Sequence, residues 1–152
     1  MIPCTLNTML EASPYSKIYK NIYVGSVKSL DFAQNFDVVI IAAKEIICPK
    51  KFSAEIINVP LDDAPWNFRS RMHEFYALYN IADYIADKIA HGKKVLFVCH
   101  MGMNRSALMA GLTMTHLGFK EDQIIALLKT RNPCVLMNES FAAAIRHACS
   151  IR

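Results

Sequence analysis

One run of residues, Val95-Leu96-Phe97-Val98-Cys99-His100-Met101-Gly102-Met103-Asn104-Arg105-Ser106, leaves this chain little freedom in how it folds locally. An apolar segment of strand type ends on a cysteine. A loop containing a glycine follows, and an arginine and a serine then open a segment of helical period. A strand feeding a tight loop into a helix N-terminus turns several backbone N–H groups, and the positive end of the helix dipole, into one small concavity where a tetrahedral oxyanion fits. Cys99 stands at its mouth. Such a field favours the thiolate, which is the nucleophilic form of the side chain. Arg105, six positions on, adds a planar fork for two phosphate oxygens. The plainer alternative is a buried structural cysteine at a strand end.

The remaining elements alternate as in an α/β domain. Ile22 to Val24 reads as a short strand ended by Gly25-Ser26, and Val38 to Ala43, Glu55 to Leu61 and Lys94 to Val98 read as further strands. These continuous apolar runs suit strands covered on both faces. A long helix starts near Ser70, with Phe75, Tyr79, Ala82, Ile85 and Ile89 on one face and Gly92 just past its end. A second helix runs from Arg105 to Leu117, closed by Gly118, and a third from Glu121 to Thr130, closed by Asn132-Pro133. Asn138 caps a last one carrying Phe141, Ile145 and Ala148. The expected organisation is one domain over residues 17–152 behind a tail of residues 1–16, in which Thr5 to Ala12 has a weak helical signal.

Composition narrows the function classes. With 53% hydrophobic and 20% charged residues there is no disordered or low-complexity block. No apolar run approaches the roughly 18 residues that a membrane span needs, and the first residues lack a basic stretch leading into an apolar core. Five scattered cysteines without paired spacing argue against a disulfide framework and against zinc. These features lead us to expect a protein of a reducing, cytoplasmic compartment. The net charge of +4 sits in pairs such as Lys50-Lys51 and Lys93-Lys94, as on a solvated surface, and no aromatic residues interleave with them to form a platform for single strands.

Cys99, Gly102, Arg105 and Ser106 together resemble the signature of the cysteine-dependent protein phosphatases. In that signature an arginine follows the cysteine after five residues, a glycine stands between them, and Ser or Thr comes after the arginine. The likeness extends to the small dual-specificity phosphatases over about residues 17–148. Ile18 to Ser26 looks like their opening strand and turn, FDVVIIAAKE like the next strand, and RNPCVLMNESFAAAI like the entry to the closing helix. The size resembles that of compact members, including virus-encoded ones. The resemblance implies a central, mostly parallel sheet of about five strands, helices on both faces, the cysteine loop at the C-terminal edge, and no metal or cofactor.

It also implies a division of labour. Cys99 attacks phosphorus, and the loop from His100 through Met101, Gly102, Met103 and Asn104 to Arg105 holds the equatorial oxygens. Ser106 donates to the departing sulfur. The family's acid is an aspartate after an apolar-Pro-apolar-x pattern, here Val59-Pro60-Leu61-Asp62-Asp63, which selects Asp63 with Asp62 as understudy. Either aspartate also suits a plain turn cap. Asn104 braces the loop or caps the helix. The segment Ala64 to Arg69 looks longer than usual, and Trp66 and Phe68 either pack that loop or shape substrate choice. One departure is Val98, since most relatives carry a histidine before the cysteine that helps hold its loop. Three functions remain open at this point: a phosphatase acting on phosphotyrosine and phosphoserine or phosphothreonine proteins, an RNA 5′-phosphatase, or a module that binds phosphorylated partners without turning them over.

Overall fold

The computed structural model describes Cys4 and residues 13–48 and 52–152, so the weak helix from Thr5 to Ala12 lies outside the described residues. Five strands follow in chain order: β1 (Tyr15–Tyr19), β2 (Ile22–Gly25), β3 (Val38–Ile41), β4 (Glu55–Asn58) and β5 (Val95–Val98). In space they lie β1-β2-β5-β3-β4, with β1 antiparallel to β2 and all other pairs parallel. β3 and β5 are buried at every residue, as their unbroken apolar runs require. Their alternate side chains serve two cores: Val38, Ile40, Val95 and Phe97 face one, and Val39, Ile41, Leu96 and Val98 the other.

The larger core is covered by four α-helices, α1 (Met72–Ala90), α2 (Arg105–His116), α3 (Glu121–Lys129) and α4 (Glu139–Ile151). α2 is buried from Arg105 to Thr115, which explains why it is apolar nearly all round. The hydroxyls of Thr113 and Thr115 donate to Met109 and Leu112 carbonyls at 2.7 and 2.6 Å, so their burial leaves no orphan. Gly111 admits the Ile145 side chain so closely that a Cβ there would collide with it. On the opposite face a 3-10 helix over Val27–Asn35 and the loop residues Phe36 and Ala54 close the smaller core. Among the described residues no helix is long and apolar enough to cross a membrane.

Three local readings need adjustment. β1 is a strand in its own right, turned back by Asn21 at a φ of 66°, a conformation that asparagine tolerates. Tyr15 and Ser16, assigned to the tail from the sequence, therefore lie in the sheet. β4 stops at Asn58 instead of reaching Leu61, because Pro60 cannot donate to a ladder. It is also a half-exposed edge strand, where the sequence suggests one covered on both sides.

The register sets the site. Gly25, Ile41 and Val98 are aligned at the C-terminal ends of three adjacent parallel strands, and the next residue of the central one is Cys99. Ligands of open α/β sheets bind in the crevice beyond such strand ends. The support beneath is testable at Phe75, which is fully buried in α1 and lies 5.7 Å from the rings of both Phe68 and Tyr79. Phe75→Ala should cost about 3–5 kcal/mol in urea unfolding, and a loss below about 1 kcal/mol would mean that this core is not packed as described.

Candidate active site

Cys99 leaves the sheet by donating its N–H to the Gly25 carbonyl at 3.3 Å. Beyond it the chain turns sharply, and each carbonyl of the turn finds a partner on the outside. His100 O accepts from Val27 N at 3.1 Å, Met101 O from Arg131 Nη2 at 3.4 Å and Gly102 O from Arg131 Nε at 2.8 Å. Met103 O accepts from Leu136 N, and Asn104 O from Leu108 N, each at 2.8 Å. A planar trans peptide points its N–H opposite to its C=O. The N–H groups from Met101 to Arg105 are thus turned the other way, toward the concavity at the start of α2. Gly102 makes the turn possible: its φ is 70°, and a Cβ there would lie 2.7 Å from both the Gly25 carbonyl carbon and Arg131 Nη2.

The cavity at this point has a volume of about 180 Å³ and is lined by Glu45, Asp63, Cys99, His100, Met101, Met103, Asn104 and Arg105. Gly102 lies within the turn, and Ser106 sits behind the sulfur with its Oγ 3.1 Å from Cys99 Sγ. All the residues expected from the sequence thus converge. A larger groove of about 410 Å³, between the Val59–Pro65 segment and α1, contains none of the residues lining the smaller cavity. Among the described residues no three His, Cys, Asp or Glu side chains gather as a metal site would require.

The two aspartates part company. Asp62 is exposed and meets Lys44 Nζ at 2.8 Å, whereas Asp63 faces the cavity. Its Oδ2 accepts from Asn104 Nδ2 at 3.0 Å and its Oδ1 from Asn138 Nδ2 at 3.1 Å. Asn104 and Asn138 occupy the N-cap positions of α2 and α4, yet neither side chain caps its helix. Both reach across to the aspartate loop, and the Asn138 N–H donates to Asn104 Oδ1 at 3.0 Å. For Asn138 this corrects the expected cap: the side chain is diverted to Asp63 and to the Ala64 carbonyl. Farther along the loop, Trp66 N donates to Ser140 Oγ at 2.9 Å, and the indole lies 5.6 Å from the Phe68 ring and 6.3 Å from Phe141. Trp66 and Phe68 therefore pack the loop, while the Arg69 guanidinium covers the Phe68 ring at 5.0 Å.

Glu45 is the residue that sequence reasoning missed. Its carboxylate grips Arg105 with both oxygens, Oε1 to Nη1 at 2.5 Å and Oε2 to Nη2 at 2.6 Å, and Nη1 also donates to the Leu61 carbonyl at 3.0 Å. Arg105 Nε is buried without a partner among the described residues, so the Nε–Nη2 edge remains open to an oxyanion. The hydrogen bonds from Arg105 draw Glu45 down to about 2, and the same pairing raises Arg105. The one available signal was position, a carboxylate four residues beyond a strand that neighbours β5.

The profile of the dual specificity phosphatase catalytic domain matches residues 19–150. The chain belongs to the dual specificity phosphatase family. It is a cysteine-dependent protein phosphatase. No curated protein matches it as a relative. Among solved structures the phosphatase is similar to human DUSP28, with 14% identity over 91% of this chain and 94% of that one and a TM-score of 0.75. It is also similar to OH1 from the Orf virus, described as a tyrosine phosphatase with triple substrate specificity (17%, 92% of each chain, TM-score 0.63). A third is the human tyrosine phosphatase-like serine/threonine/tyrosine-interacting protein (20%, 90% and 96%, TM-score 0.72). At these identities the likenesses speak for the shared fold.

The Glu45 grip predicts a specific defect in this phosphatase. Glu45→Gln keeps the shape but loses the charge and one acceptor, so kcat/KM should fall about tenfold. Glu45 stays ionised far below neutrality, so the deficit should be constant between about pH 5 and 8. The stability contributed by the pair is present above the ordinary carboxylate value of 4.5 and is lost as pH falls through about 2. Unchanged kinetics in Glu45→Gln would show that Arg105 needs no such support.

Proposed function

We propose that the protein hydrolyses phosphotyrosine and phosphoserine or phosphothreonine in proteins through a phosphocysteine intermediate, with residues 17–152, together with Tyr15 and Ser16 of β1, as the catalytic domain. The observation that carries this reading is the sulfur of Cys99, set beside Ser106 Oγ at the floor of a cup whose wall holds both Arg105 and Asp63. The Cys99 thiolate attacks phosphorus as the bond to the leaving oxygen breaks, and protonated Asp63 gives that oxygen its proton. The inward N–H groups and the open edge of Arg105 hold the three equatorial oxygens, over which charge spreads in a loose transition state. Water then attacks phosphorus, Asp63 takes its proton, and the S–P bond breaks to release inorganic phosphate and the thiolate. Ser106 donates to the sulfur as it leaves. Asn104 and Asn138 keep Asp63 over the cup in both steps.

The cavity of about 180 Å³ has room for a phosphate and the first atoms of its carrier, which suits short and long phosphorylated side chains alike. A free thiol nucleophile works in a reducing compartment, and the cytoplasm is the one we assign.

Two experiments test these roles. Cys99→Ser should bind phosphopeptide but lose turnover by several orders of magnitude, since a serine hydroxyl stays protonated where a thiol ionises. Persisting turnover would end the reading. Asp63→Asn should lower kcat on alkyl phosphates by roughly 10² to 10⁴, with a smaller loss on aryl phosphates, and Asp62→Asn should do far less. A crippled Asp62→Asn instead would shift the acid by one position. Assays of phosphotyrosine peptide, phosphothreonine peptide and 5′-triphosphate RNA in parallel should favour the peptides. Faster turnover of RNA would replace protein with RNA 5′ ends as the substrate class.

A further inference from the structure

The cup continues toward the start of α4. A groove with a volume of about 440 Å³ adjoins it there and shares two residues with it, Asp63 and Asn104. Pro65 and Met137 give this groove apolar surface, and Met137 is 46% exposed. A thioether is soft and adapts to aliphatic chains of varied shape. The polar side chains of the groove are engaged with one another, save one. Asn104 and Asn138 donate to Asp63, Asn138 donates also to the Ala64 carbonyl, and Ser140 Oγ donates to Asn138 Oδ1 at 2.5 Å while accepting from Trp66 N. Glu139, exposed at the first residue of α4, has neither a hydrogen bond nor an ion pair at its carboxylate among the described residues.

Away from this groove the charges around the cup satisfy each other. Glu45 is held by both terminal nitrogens of Arg105, and Asp62 by Lys44 at 2.8 Å. His100, in the lining of the cup and exposed, repels a cation when it is protonated. Asp63 has to carry a proton when substrate binds if it is to act as the acid, so Glu139 is the standing negative charge of the groove. A phosphorylated side chain seated in the cup lays its neighbours along the rim, about 3.3 Å apart in an extended peptide. A lysine or arginine among those neighbours brings an aliphatic stem and a charged head. Met137 and Pro65 suit the stem, and Glu139 suits the head.

We propose that this groove is a substrate subsite for a lysine or arginine that lies within two positions of the phosphorylated residue, on one side of it only, with Glu139 as the specificity-determining residue. The proposal rests on the reading of the chain as a phosphatase of phosphorylated proteins and names the substrates it prefers within that class. The overall charge of the protein works against such a preference. At +4 it draws acidic peptides at long range, so selection of a basic neighbour has to come from a local contact.

The test uses phosphotyrosine peptides with alanine at both positions on either side, compared with versions that carry arginine or glutamate at one of those positions. Binding to Cys99→Ser is measured by titration calorimetry, and kcat/KM with the wild-type protein. On a single side of the phosphotyrosine, arginine should surpass glutamate by about fivefold in both measurements, and on the other side by less than about twofold. Glu139→Gln should bring the ratio close to one and Glu139→Lys should invert it, while turnover of para-nitrophenyl phosphate, which has no flanking residues, stays at the wild-type rate. Equal binding of the arginine and glutamate peptides, a preference alike on both sides, or one that survives in Glu139→Gln overturns the subsite and leaves the phosphatase reading standing. Failure of Cys99→Ser to bind any of the phosphotyrosine peptides overturns the phosphoprotein reading, and the subsite with it.

Discussion

The five carbonyls from His100 to Asn104 turn outward, and the rest of the site depends on that turn. A loop of this length would ordinarily alternate donors and acceptors toward its centre, and an anion would then meet as much repulsion as attraction. Here each carbonyl has a donor elsewhere: one from the 3-10 helix at Val27, two from Arg131, one from Leu136 and one from within α2. Peptide planarity does the rest, presenting a cluster of N–H groups at the start of a helix whose dipole adds to them. The donors come from segments far apart in sequence. The cup therefore exists only in the folded chain, and its shape is fixed before an oxyanion arrives, so little of the binding energy goes into ordering it.

Charge is distributed with similar economy. Glu45 occupies one edge of Arg105 and leaves the Nε edge free, so the guanidinium is held in place without being used up. Asp63 is held by two amide side chains that rise from the first residues of the helices around it. Asn104 and Asn138 give up capping to do this, a local cost of about 1 kcal/mol each by the usual worth of such caps. A sequence that departs from local helix chemistry at two N-caps facing one aspartate has its reason in the site. The same segment carries Trp66 and Phe68, whose rings fix the aspartate loop against α4.

Much of this could be read before any coordinates. The strand, loop and helix around Cys99 announce themselves because their signals are local: an apolar run, a glycine for a positive φ, a helical period. Gly92 and Gly118 likewise end α1 and α2 where the sequence places them, with φ of 82° and 90°. What the sequence conceals is set by partners distant along the chain. Glu45 and Arg131 look like ordinary surface charges until β3 is laid beside β5 and the end of α3 is folded under the loop. The 3-10 helix over Val27–Asn35 has a weak apolar pattern of its own and forms because it must cover Leu96 and Val98. The outcome at Asn138 shows the limit of propensity: its position at the helix start is legible, but the direction of its side chain is decided by an aspartate 75 residues away.

The central claim is that Cys99 accepts the phosphoryl group within this cup. Mixing the wild-type protein with a stoichiometric amount of ³²P-labelled phosphotyrosine peptide, stopping with acid within milliseconds and mapping the labelled fragment tests it directly. The account predicts transient label on the fragment containing Cys99, stable at acid pH as a thiophosphate ester should be when the protein is unfolded, and chased to inorganic phosphate if the quench is delayed. Turnover with no label on that fragment at any time, or label on a histidine or aspartate instead, would contradict it.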